Sequence, residues 1–541
     1  MRNVPPQATP EPLPEPLPGA LAEPPSGPDV AARPASAHRD AGTSIGTGTK
    51  TGTGTRTVTG TRTVSGSTTV TGTRTGIGPD LWAVALAVLL VALAIGAGSA
   101  LQREHGTLRV GWPPFFARWD PHLGPGSAAA VLLAVAVIAW GPPLAARLPW
   151  RRLLLTAWAT AMAWTWSLAL IDGWQRGAAQ RLTTRYEYLR EIGRFDDIGA
   201  ALRGFTGHIL LGSPDHWVPH VAGHPPGAIL TFVGLDRAGL GGGAWAAAWC
   251  VTVGASAAVA VLVTVRALTG EERARSAAPF VVAAPAAVWV GVSADGYFTG
   301  VAAWSLALLA LAATRKSRAP RATALAAGLL FGLTCYLSYG LTLCALLAGA
   351  VLVLARTARP LPYALTGAAL VALAFTLTGF NWWEGYRLLT ERYYQGAAAI
   401  RPYGYWVWAN LACTAIVIGP ATVAGLRRTL AGVPGAVGGL RRGGTRMPSH
   451  RNGPGDVHGT PPDDGPGSTH PLVLLVLAAL LALLVADLSG MSKAETERIW
   501  LPLALWTLPA AALLPRPGAR GWLCAQTALA LVVNHLLLTG W

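Results

Sequence analysis

The chain has 541 residues, of which 52% are hydrophobic and 13% are charged. Soluble proteins carry roughly a quarter charged residues, so this composition excludes an ordinary soluble multidomain enzyme. The net charge of +16 would suggest nucleic-acid binding in a soluble protein. Here the arginines cluster in short loops between apolar runs, so membrane topology explains the charge better and we expect no nucleic-acid partner. The sequence predicts an all-α polytopic membrane protein.

Two low-complexity segments open the chain. Residues 1–41 are rich in Pro, Ala and Glu, and residues 42–78 alternate Thr and Gly with a few basic residues. Such segments cannot bury enough apolar surface to offset their chain entropy. We predict a disordered cytoplasmic tail over residues 1–79, with no cleavable signal peptide because no apolar stretch of that kind precedes it.

Thirteen apolar runs follow, and each is predicted to form a transmembrane helix of about 20 residues. They lie near residues 81–99, 127–146, 152–171, 244–266, 275–294, 297–314, 321–338, 340–356, 361–380, 403–424, 471–488, 500–515 and 520–538. The predicted organisation is two N-terminal helices in 80–151, a membrane core over 152–424 with a large outer loop at 172–243, a disordered cytoplasmic loop at 425–470, and C-terminal helices in 471–541. Juxtamembrane helices are expected in that large outer loop.

Basic residues predict how the spans are oriented, because loops rich in Lys and Arg stay in the cytoplasm. With thirteen spans and a cytoplasmic N-terminus, every strongly basic loop lies on the cytoplasmic side: 147–152, 266–275, 315–321, 356–359, 425–470 and 516–520. The remaining loops then face outward and contain nearly all the chemically interesting side chains. We therefore expect a multi-pass plasma-membrane protein with an extracytoplasmic site.

Two acidic residues are candidates for catalysis. Asp172 directly follows the apolar "WSLALI", and a carboxylate at a membrane boundary suits a general base that faces a hydroxyl. A solvated residue that ends a helix beside Gly173 explains Asp172 equally well. Residues 183–205 carry apolar side chains at helical spacing, which predicts an amphipathic helix. Within it Glu187 is flanked by two tyrosines, although a surface pair with Arg190 is the alternative.

The stretch "HVAGHPPG" at 220–227 combines two histidines with a proline pair. Prolines nearby argue against a continuous helix, so the histidine spacing is a weak indication of zinc. The proline pair allows a helix to begin at Gly227, and the N–H groups of a helix start favour a phosphate. We therefore predict that His224, beside this helix start, contacts a phosphate or a sugar hydroxyl. Alternatively, the stretch only ends one helix and starts another.

Two further candidates lie in later outer loops. Asp295, in "SADGYF", is predicted to occupy a tight outer turn between two spans, since Asp-Gly is a turn pair. Arg498, in "ETERIW", adjoins an apolar run, where a planar guanidinium suits a lipid-linked phosphate or pyrophosphate. An Arg498 that extends to the interface and pairs with Glu495 is the alternative. The apolar stretch 227–240 is too short to cross and is predicted to be an interfacial helix.

These features together resemble the GT-C superfamily of membrane glycosyltransferases. The resemblance is to the branch with the dolichyl-phosphate-mannose protein mannosyltransferases and lipid A aminoarabinose transferases, and to actinobacterial membrane proteins of that type. It covers about 152–515 and depends on Asp172 before a large outer loop, on "GHPPG" and on "ETERIWLPLALW". The resemblance implies a polyprenyl-phosphate sugar donor, with Asp172 as general base and His220, His224 and Arg498 in contact with donor phosphate or acceptor.

The sequence therefore favours an enzyme, a glycosyltransferase that moves a hexosyl or pentosyl unit from a polyprenyl-phosphate donor to a cell-envelope acceptor. Its expected partners are this donor and the lipid bilayer. No cofactor or metal ligand is identified, while the histidines leave a divalent metal open. A transporter or flippase would show ionisable residues in mid-span and internal repeats, which the sequence lacks. A non-catalytic envelope scaffold, with aromatic outer loops as binding surfaces, is the third alternative.

Overall fold

A computed structural model describes residues 76–436 and 470–540. The predicted tail over 1–79 lies almost entirely outside these residues, as does most of the predicted loop at 425–470. Helices make up most of the described part, which also contains connecting loops and two strands of three residues each. The prediction of an all-α polytopic fold is therefore confirmed.

Most of the predicted spans correspond to a helix in the structure. The α-helices are α1 (Ile77–His105), α2 (Gly126–Arg147), α3 (Trp150–Ala169), α4 (Ile198–Gly204), α5 (Pro219–Ala222), α6 (Gly227–Arg237), α7 (Gly243–Thr269), α8 (Glu271–Val282), α9 (Ala287–Val290), α10 (Ala294–Ala313), α11 (Pro320–Leu337), α12 (Cys344–Leu354), α13 (Leu361–Leu377), α14 (Trp382–Gln395), α15 (Tyr403–Ala431), α16 (His470–Leu488), α17 (Thr496–Ile499), α18 (Leu501–Ala504) and α19 (Ala519–Leu536).

Shorter elements connect these helices. A π-helical turn covers Gln175–Ala179, and 3-10 helices cover Leu170–Asp172, Arg181–Thr183, Tyr188–Arg190, Ile192–Phe195, Phe205–His208, Tyr339–Leu343, Ala397–Ala399, Leu505–Leu513 and Arg516–Gly518. The strands β1 (Ala117–Trp119) and β2 (Leu537–Thr539) pair antiparallel, with Arg118 opposite Leu538.

Within the described ranges, eight helices are long and apolar enough to cross a membrane: α1, α2, α3, α7, α10, α11, α15 and α16. A ninth is obtained if α13 and α14, which meet at a bend of 77°, are counted as one broken span. The predicted count of thirteen is therefore not confirmed. Residues at the predicted spans 275–294, 340–356 and 500–515 form shorter or interrupted helices instead. Proline contributes to the interruption in two of them, because it lacks the N–H that a helix interior needs.

Three of the basic loops, 147–152, 266–275 and 315–321, lie together at one end of the bundle. Arg275 donates to the carbonyl oxygens of Ala145 and Leu148 at 2.7 and 2.8 Å, which joins the 147–152 loop to the 266–275 loop. Lys316 donates to the carbonyl of Ala267 at 3.0 Å. Three of the loops that were predicted to share the cytoplasm are thus neighbours in the fold.

A buried carboxylate ties the first helix to this end. Asp80, in the first turn of α1, is fully buried and pairs with Arg427 at 2.7 Å and Arg428 at 2.5 Å. Both arginines belong to α15, which continues to Ala431 and so extends beyond the boundary predicted at residue 424.

The large loop between α3 and α7 contains only short helices, as predicted. However, the predicted amphipathic helix over 183–205 is wrong, because this stretch forms successive 3-10 turns before α4 begins. Gly193 disfavours a continuous helix, and the Asp197 carboxylate caps a new start by accepting from the Ala200 N–H at 2.9 Å. The eleven residues of α6 reach only about 17 Å, too short to cross a bilayer.

A break between α8 and α10 places Asp295 deep in the protein. The residues between Val282 and Ala294 form only the four-residue α9, and every residue from 277 to 303 is buried. The predicted tight outer turn at Asp295 is therefore wrong. Asp295 lies in the first turn of α10, where the Ser293 hydroxyl caps the helix by accepting from the Gly296 N–H at 3.1 Å. Irregular backbone is tolerated at this depth because protein surrounds it.

Small residues let the helices approach closely. A Cβ on Gly300 of α10 would lie 2.3 Å from the carbonyl oxygen of Val253 on α7. A Cβ on Gly328 of α11 would lie 1.9 Å from the carbonyl oxygen of Ala364 on α13. Such contacts are typical of helix pairs in lipid, where close backbone packing replaces the hydrophobic driving force.

Candidate active site

The six predicted site residues fall into two groups at the end of the bundle opposite the basic loops. Five of them form one buried group, which we call the Glu187 cluster and which also includes Tyr188 and Glu495: Glu187, His220, His224, Asp295 and Arg498. Asp172 lies in a second group, the Asp172 cluster, with His122, Arg181, Asp120, Arg118 and Arg176.

Glu187 pairs with His220 and not with Arg190. The Oε1 atom of Glu187 lies 3.0 Å from Nδ1 of His220, and the two side chains are 7% and 12% exposed. The other carboxylate oxygen, Oε2, is buried without a hydrogen-bond partner. A buried acceptor that is left without a donor is costly, so this atom is positioned for a group that the protein itself does not supply.

The "HPPG" corner fixes His224 in one tautomer. Its Nδ1 donates to the carbonyl oxygen of His220 at 2.7 Å, so in the neutral ring Nε2 is an acceptor. Burial lowers the pKa of His224 to about 4, and the ring is neutral at physiological pH. The helix start predicted at Gly227 is confirmed. However, residues 225–229 are buried and Gly227 adjoins the Tyr336 carbonyl of α11, so this start does not open toward a ligand.

Tyr188 links the two histidines and was missed by the sequence analysis as a site residue. Its ring lies 5.9 Å from that of His220 and 5.8 Å from that of His224, and it stacks on Phe232 at 5.3 Å. The hydroxyl is buried and has no hydrogen-bond partner. Burial, together with the carboxylates of Asp295 and Glu187, raises the pKa of Tyr188 well above its ordinary value, which keeps the hydroxyl protonated as a donor.

Asp295 and Arg498 form a buried ion pair at the base of the Glu187 cluster. The second Nη of Arg498 pairs with Glu495 at 2.9 Å, the partner that the alternative interpretation named, but the Arg498 side chain is 4% exposed and does not extend to an interface. Burial acts to lower the pKa of Arg498, but the Asp295 and Glu495 carboxylates raise it above its ordinary value. One turn after Asp295, Phe298 contacts the His224 ring at 5.6 Å, which brings the ion pair and the histidine corner together.

Asp172 has both carboxylate oxygens engaged. Its Oδ1 lies 2.7 Å from His122 Nε2, and its Oδ2 accepts from Arg181 at 2.5 Å. All three side chains are largely buried, with exposures of 6% for Asp172, 13% for His122 and 9% for Arg181. Neither partner could have been inferred from spacing, because His122 is 50 residues distant in sequence and Arg181 follows an irregular turn.

The two-stranded sheet of β1 and β2 contacts the Asp172 cluster. Arg181 donates to the carbonyl oxygen of Thr539 in β2 at 2.7 Å, and β2 pairs with β1. Directly after β1, Asp120 lies 3.3 Å from Arg118 and 3.7 Å from Arg176. The cluster thus combines groups from the loop after α1, from the end of α3 and from the end of the chain.

Glu497 is a further buried acid, on the turn that carries Arg498. Its Oε1 accepts from the Phe116 N–H at 2.9 Å, and its Oε2 is buried without a partner. Burial raises the pKa of Glu497 to about 7. Its side chain therefore changes charge near physiological pH, a property that its position in "ETERIW" did not suggest.

A metal site was left open by the histidines. Within the part of the chain that the structure describes, no three or more His, Cys, Asp or Glu side chains are grouped so as to hold a metal ion. The acids and imidazoles pair instead with each other and with arginines.

Comparison with known proteins finds likeness only among solved structures, and at low similarity. No family model and no curated protein matches the sequence. Among solved structures, an oligosaccharyltransferase from Archaeoglobus fulgidus, crystallised with zinc and sulfate, is similar to 71% of this chain, at 14% identity and a TM-score of 0.38. The matched part spans 53% of that protein, about half its length. A likeness at this level assigns the chain to no family and gives it no activity.

Proposed function

We propose that this protein is a membrane glycosyltransferase that moves a sugar from a polyprenyl-phosphate donor to a hydroxyl of a cell-envelope acceptor. The observation that carries the proposal is the pair of unpartnered, buried groups Glu187 Oε2 and Tyr188 Oη beside a neutral His224. One is a proton acceptor and the other a proton donor, and both are withdrawn from water. Acid–base transfer between oxygen atoms needs such a pair.

In the proposed reaction the acceptor oxygen attacks the anomeric carbon of the sugar while the bond from that carbon to the phosphate oxygen breaks. The acceptor proton passes to Glu187, whose Oε2 is available for it. The phosphate oxygen keeps the electron pair of the broken bond, and polyprenyl phosphate leaves. Fixed donors and charges in a water-excluded site stabilise the charge that develops in this step.

Asp172 has a different part in this proposal. Because His122 and Arg181 engage both of its oxygens, Asp172 holds those two side chains in place. Should substrate binding release one oxygen, Asp172 becomes the second candidate for the base. Substitution of each acid separately therefore decides between Glu187 and Asp172.

We further propose that the two clusters face the outside of the plasma membrane. The basic loops gather at the opposite end, and basic loops are retained in the cytoplasm. A lipid-linked donor would then reach the clusters laterally from the bilayer. An acceptor would approach from the cell envelope.

One observation favours a second candidate, a transporter or flippase. The broken helix α8–α10 and the buried pair Asp295–Arg498 are typical of transport sites, where discontinuous helices and charged groups lie within the bundle. In the sequence the apolar runs lack charged residues in mid-span, which argues against transport, but the buried Asp295–Arg498 pair places charges inside the fold and weakens that objection.

The test is sugar transfer by purified protein in detergent, where no compartments exist and transport cannot be scored. Polyprenyl-phosphate sugars with labelled sugar moieties serve as donors, and extracted envelope glycans serve as acceptors. We expect Glu187→Gln to lower turnover by roughly a hundredfold or more. Glu384→Gln, at an exposed acid of α14, is the matched control and should keep wild-type turnover.

Turnover that is unchanged in Glu187→Gln and lost in Asp172→Asn would move the base to Asp172. If wild-type protein transfers no sugar from any donor but moves polyprenyl-phosphate lipids across proteoliposome membranes, the transport function replaces the proposed one.

A further inference from the structure

The Asp172 cluster carries an excess of positive charge. Three arginines, Arg118, Arg176 and Arg181, share it with two carboxylates, those of Asp120 and Asp172. His122 lies among them: its Nδ1 is 2.6 Å from the Asp120 carbonyl oxygen and its Nε2 is 2.7 Å from the Asp172 carboxylate.

Arg118 and Arg176 form an exposed pair, which we call the mouth of the cluster, next to the buried Arg181 and His122. The side chains of Arg118 and Arg176 are 41% and 47% exposed, whereas those of Arg181 and His122 are 9% and 13% exposed. Their shared partner Asp120 lies at 3.3 and 3.7 Å, distances that leave both guanidinium groups hydrogen-bonding capacity. An anion with several oxygens can bind across them.

An apolar groove runs along the helices that end at this cluster. It has a volume of about 340 Å³, opens between α2 and α3, and is lined by Ala129, Leu132, Leu133, Ala136, Ala163 and Ser167. Ser167 precedes Asp172 by little more than one helical turn, and α2 begins four residues after His122. The end of the groove near Ser167 therefore approaches the cations, and its other end extends toward the membrane interior.

Exposed tryptophans flank the cluster. Trp119 follows Arg118 and is 52% exposed, and Trp174 precedes Arg176 by two residues and is 49% exposed. Trp174 stacks on Trp166 of α3 at 6.3 Å, beside the groove residue Ser167. Tryptophan at the edge of an apolar surface is typical of headgroup depth in a bilayer, and it places the cations where lipid phosphates lie.

We propose that the Asp172 cluster is the phosphate subsite for the polyprenyl-phosphate lipid, with the isoprenoid chain in the groove between α2 and α3. This inference rests on the proposed function, since it locates the carrier of that reaction. Arg118 and Arg176 bind the phosphate oxygens. Asp172 holds Arg181 and His122 next to this site, and the Arg181 guanidinium adds positive charge to it. Because the anomeric carbon is bonded to a phosphate oxygen, the glycosyl group lies directly beside this subsite.

The charges of the other cluster support this division. In the Glu187 cluster the two Nη groups of Arg498 already pair with Asp295 and Glu495, so a phosphate there would compete with two carboxylates. Glu187 adds a third carboxylate nearby. A phosphate is better accommodated where cations exceed acids, and a sugar or acceptor hydroxyl is better accommodated among the acids.

The test measures lipid binding alone, without transfer. Purified protein in phosphatidylcholine nanodiscs is titrated with polyprenyl phosphate, and bound lipid is counted by native mass spectrometry. The double variant Arg118→Glu/Arg176→Glu reverses the charge of the mouth. The control, Arg151→Glu/Arg152→Glu, reverses the charge of two exposed arginines at the opposite end of α3. We expect the first to weaken binding by roughly tenfold or more and the second to leave it unchanged.

The groove is tested by filling it. Ala163→Phe places a ring in the groove, whereas Ala159→Phe places one on an exposed position one turn away on the same helix. We expect only Ala163→Phe to weaken polyprenyl phosphate binding by roughly tenfold, with melting temperatures equal in the two variants. Unaltered binding in Ala163→Phe would remove the groove from the proposal.

Competition with two other ligands tests whether the site is selective for polyprenyl phosphate. Dioleoyl phosphatidate has the same headgroup charge with different chains, and inorganic phosphate has no chain. If either displaces polyprenyl phosphate at equal concentration, the mouth is a general anion surface and the proposal is overturned.

The binding experiment also separates this inference from the function. If the protein binds polyprenyl phosphate through Arg118 and Arg176 but transfers no sugar, the subsite is supported and the proposed reaction is wrong. If the protein transfers sugar and the Arg118→Glu/Arg176→Glu variant binds the lipid as the wild type does, the reaction is supported and the subsite is wrong.

Discussion

Asp295 and Arg498, separated by 203 positions in the sequence, form an ion pair in which each side chain is only 4% exposed. The pair joins the first turn of α10 to the turn before α18 and closes the base of the Glu187 cluster. A buried ion pair is weak evidence for stability as such, but removal of one partner strands a charge in a medium that solvates it poorly.

We therefore expect Arg498→Met to lower the free energy of unfolding by about 3–5 kcal/mol, because the Asp295 carboxylate loses its buried partner. The control is Arg516→Met, which breaks a pair with Glu272 whose side chains are 73% and 63% exposed. That change should cost less than about 1 kcal/mol. Equilibrium unfolding in mixed detergent micelles measures both, and equal losses would contradict the assigned burial.

Tyr188→Phe should separate activity from stability. The hydroxyl has no partner in the fold, so its removal leaves stability unchanged or slightly raised. Turnover should fall by roughly a hundredfold if the hydroxyl donates to the reacting oxygens. Tyr339→Phe removes another buried, unpartnered hydroxyl outside the cluster and should alter stability alike without loss of turnover. Equal turnover in the two variants would exclude Tyr188 from the reaction.

Gly328→Ala should destabilise the contact between α11 and α13. The new Cβ would lie 1.9 Å from the Ala364 carbonyl oxygen, so the helices must separate, at a cost of about 1–3 kcal/mol. Gly349→Ala on α12 adds the same methyl group where no atom lies within 4 Å, and it should be neutral or stabilising. Thermal melts of the two purified variants compare the contacts directly. A melting temperature for Gly328→Ala at or above that of Gly349→Ala would contradict the close approach.

Glu497 should make the protein less stable as the pH rises. Its pKa is raised from 4.5 to about 7 in the fold, so between these values the unfolded chain loses the proton first and unfolding becomes more favourable. The full effect is roughly 3 kcal/mol, reached above pH 7. Glu497→Gln should remove this part of the pH dependence in denaturant titrations between pH 4.5 and 8. An identical profile in the variant would show that the side chain is solvated.

His224 should act at the other side of the pH range. Burial lowers its pKa from 6.5 to about 4, so as the pH falls through this interval the unfolded chain takes up the proton first and stability is lost. His224→Gln should flatten the profile between pH 6.5 and 4. His105→Gln, with a side chain 59% exposed, should leave it as in the wild type.

The long apolar runs predicted α1, α3, α7 and α15 well, because a helix in lipid needs only length and hydrophobicity. The same rule failed at 275–294. A broken helix surrounded by protein is as apolar as a continuous one, so composition does not reveal the break between α8 and α10. The short 3-10 turns between Arg181 and Phe195 likewise follow from tertiary contacts that override helical spacing.

The candidate site could be predicted in its residue types but not in its pairs. The sequence singled out Glu187, His220 and His224, and the fold brings them together. It did not pair Asp172 with His122, because that partner lies in a loop with no recognisable motif. Tyr188 had a signal, its position beside Glu187, yet only burial and the unpartnered hydroxyl distinguish it from an interfacial tyrosine.

The pairing of β2 with β1 also bears on how the protein is made. Residues 537–539 emerge from the ribosome after every helix of the bundle, yet Arg181 donates to Thr539 and β1 obtains its only described strand partner from them. During synthesis the chain is inserted from its N-terminal side onward. The hydrogen bond from Arg181 to Thr539 can therefore form only after translation has passed β2, later than the pairs of Asp172 with His122 and Arg181.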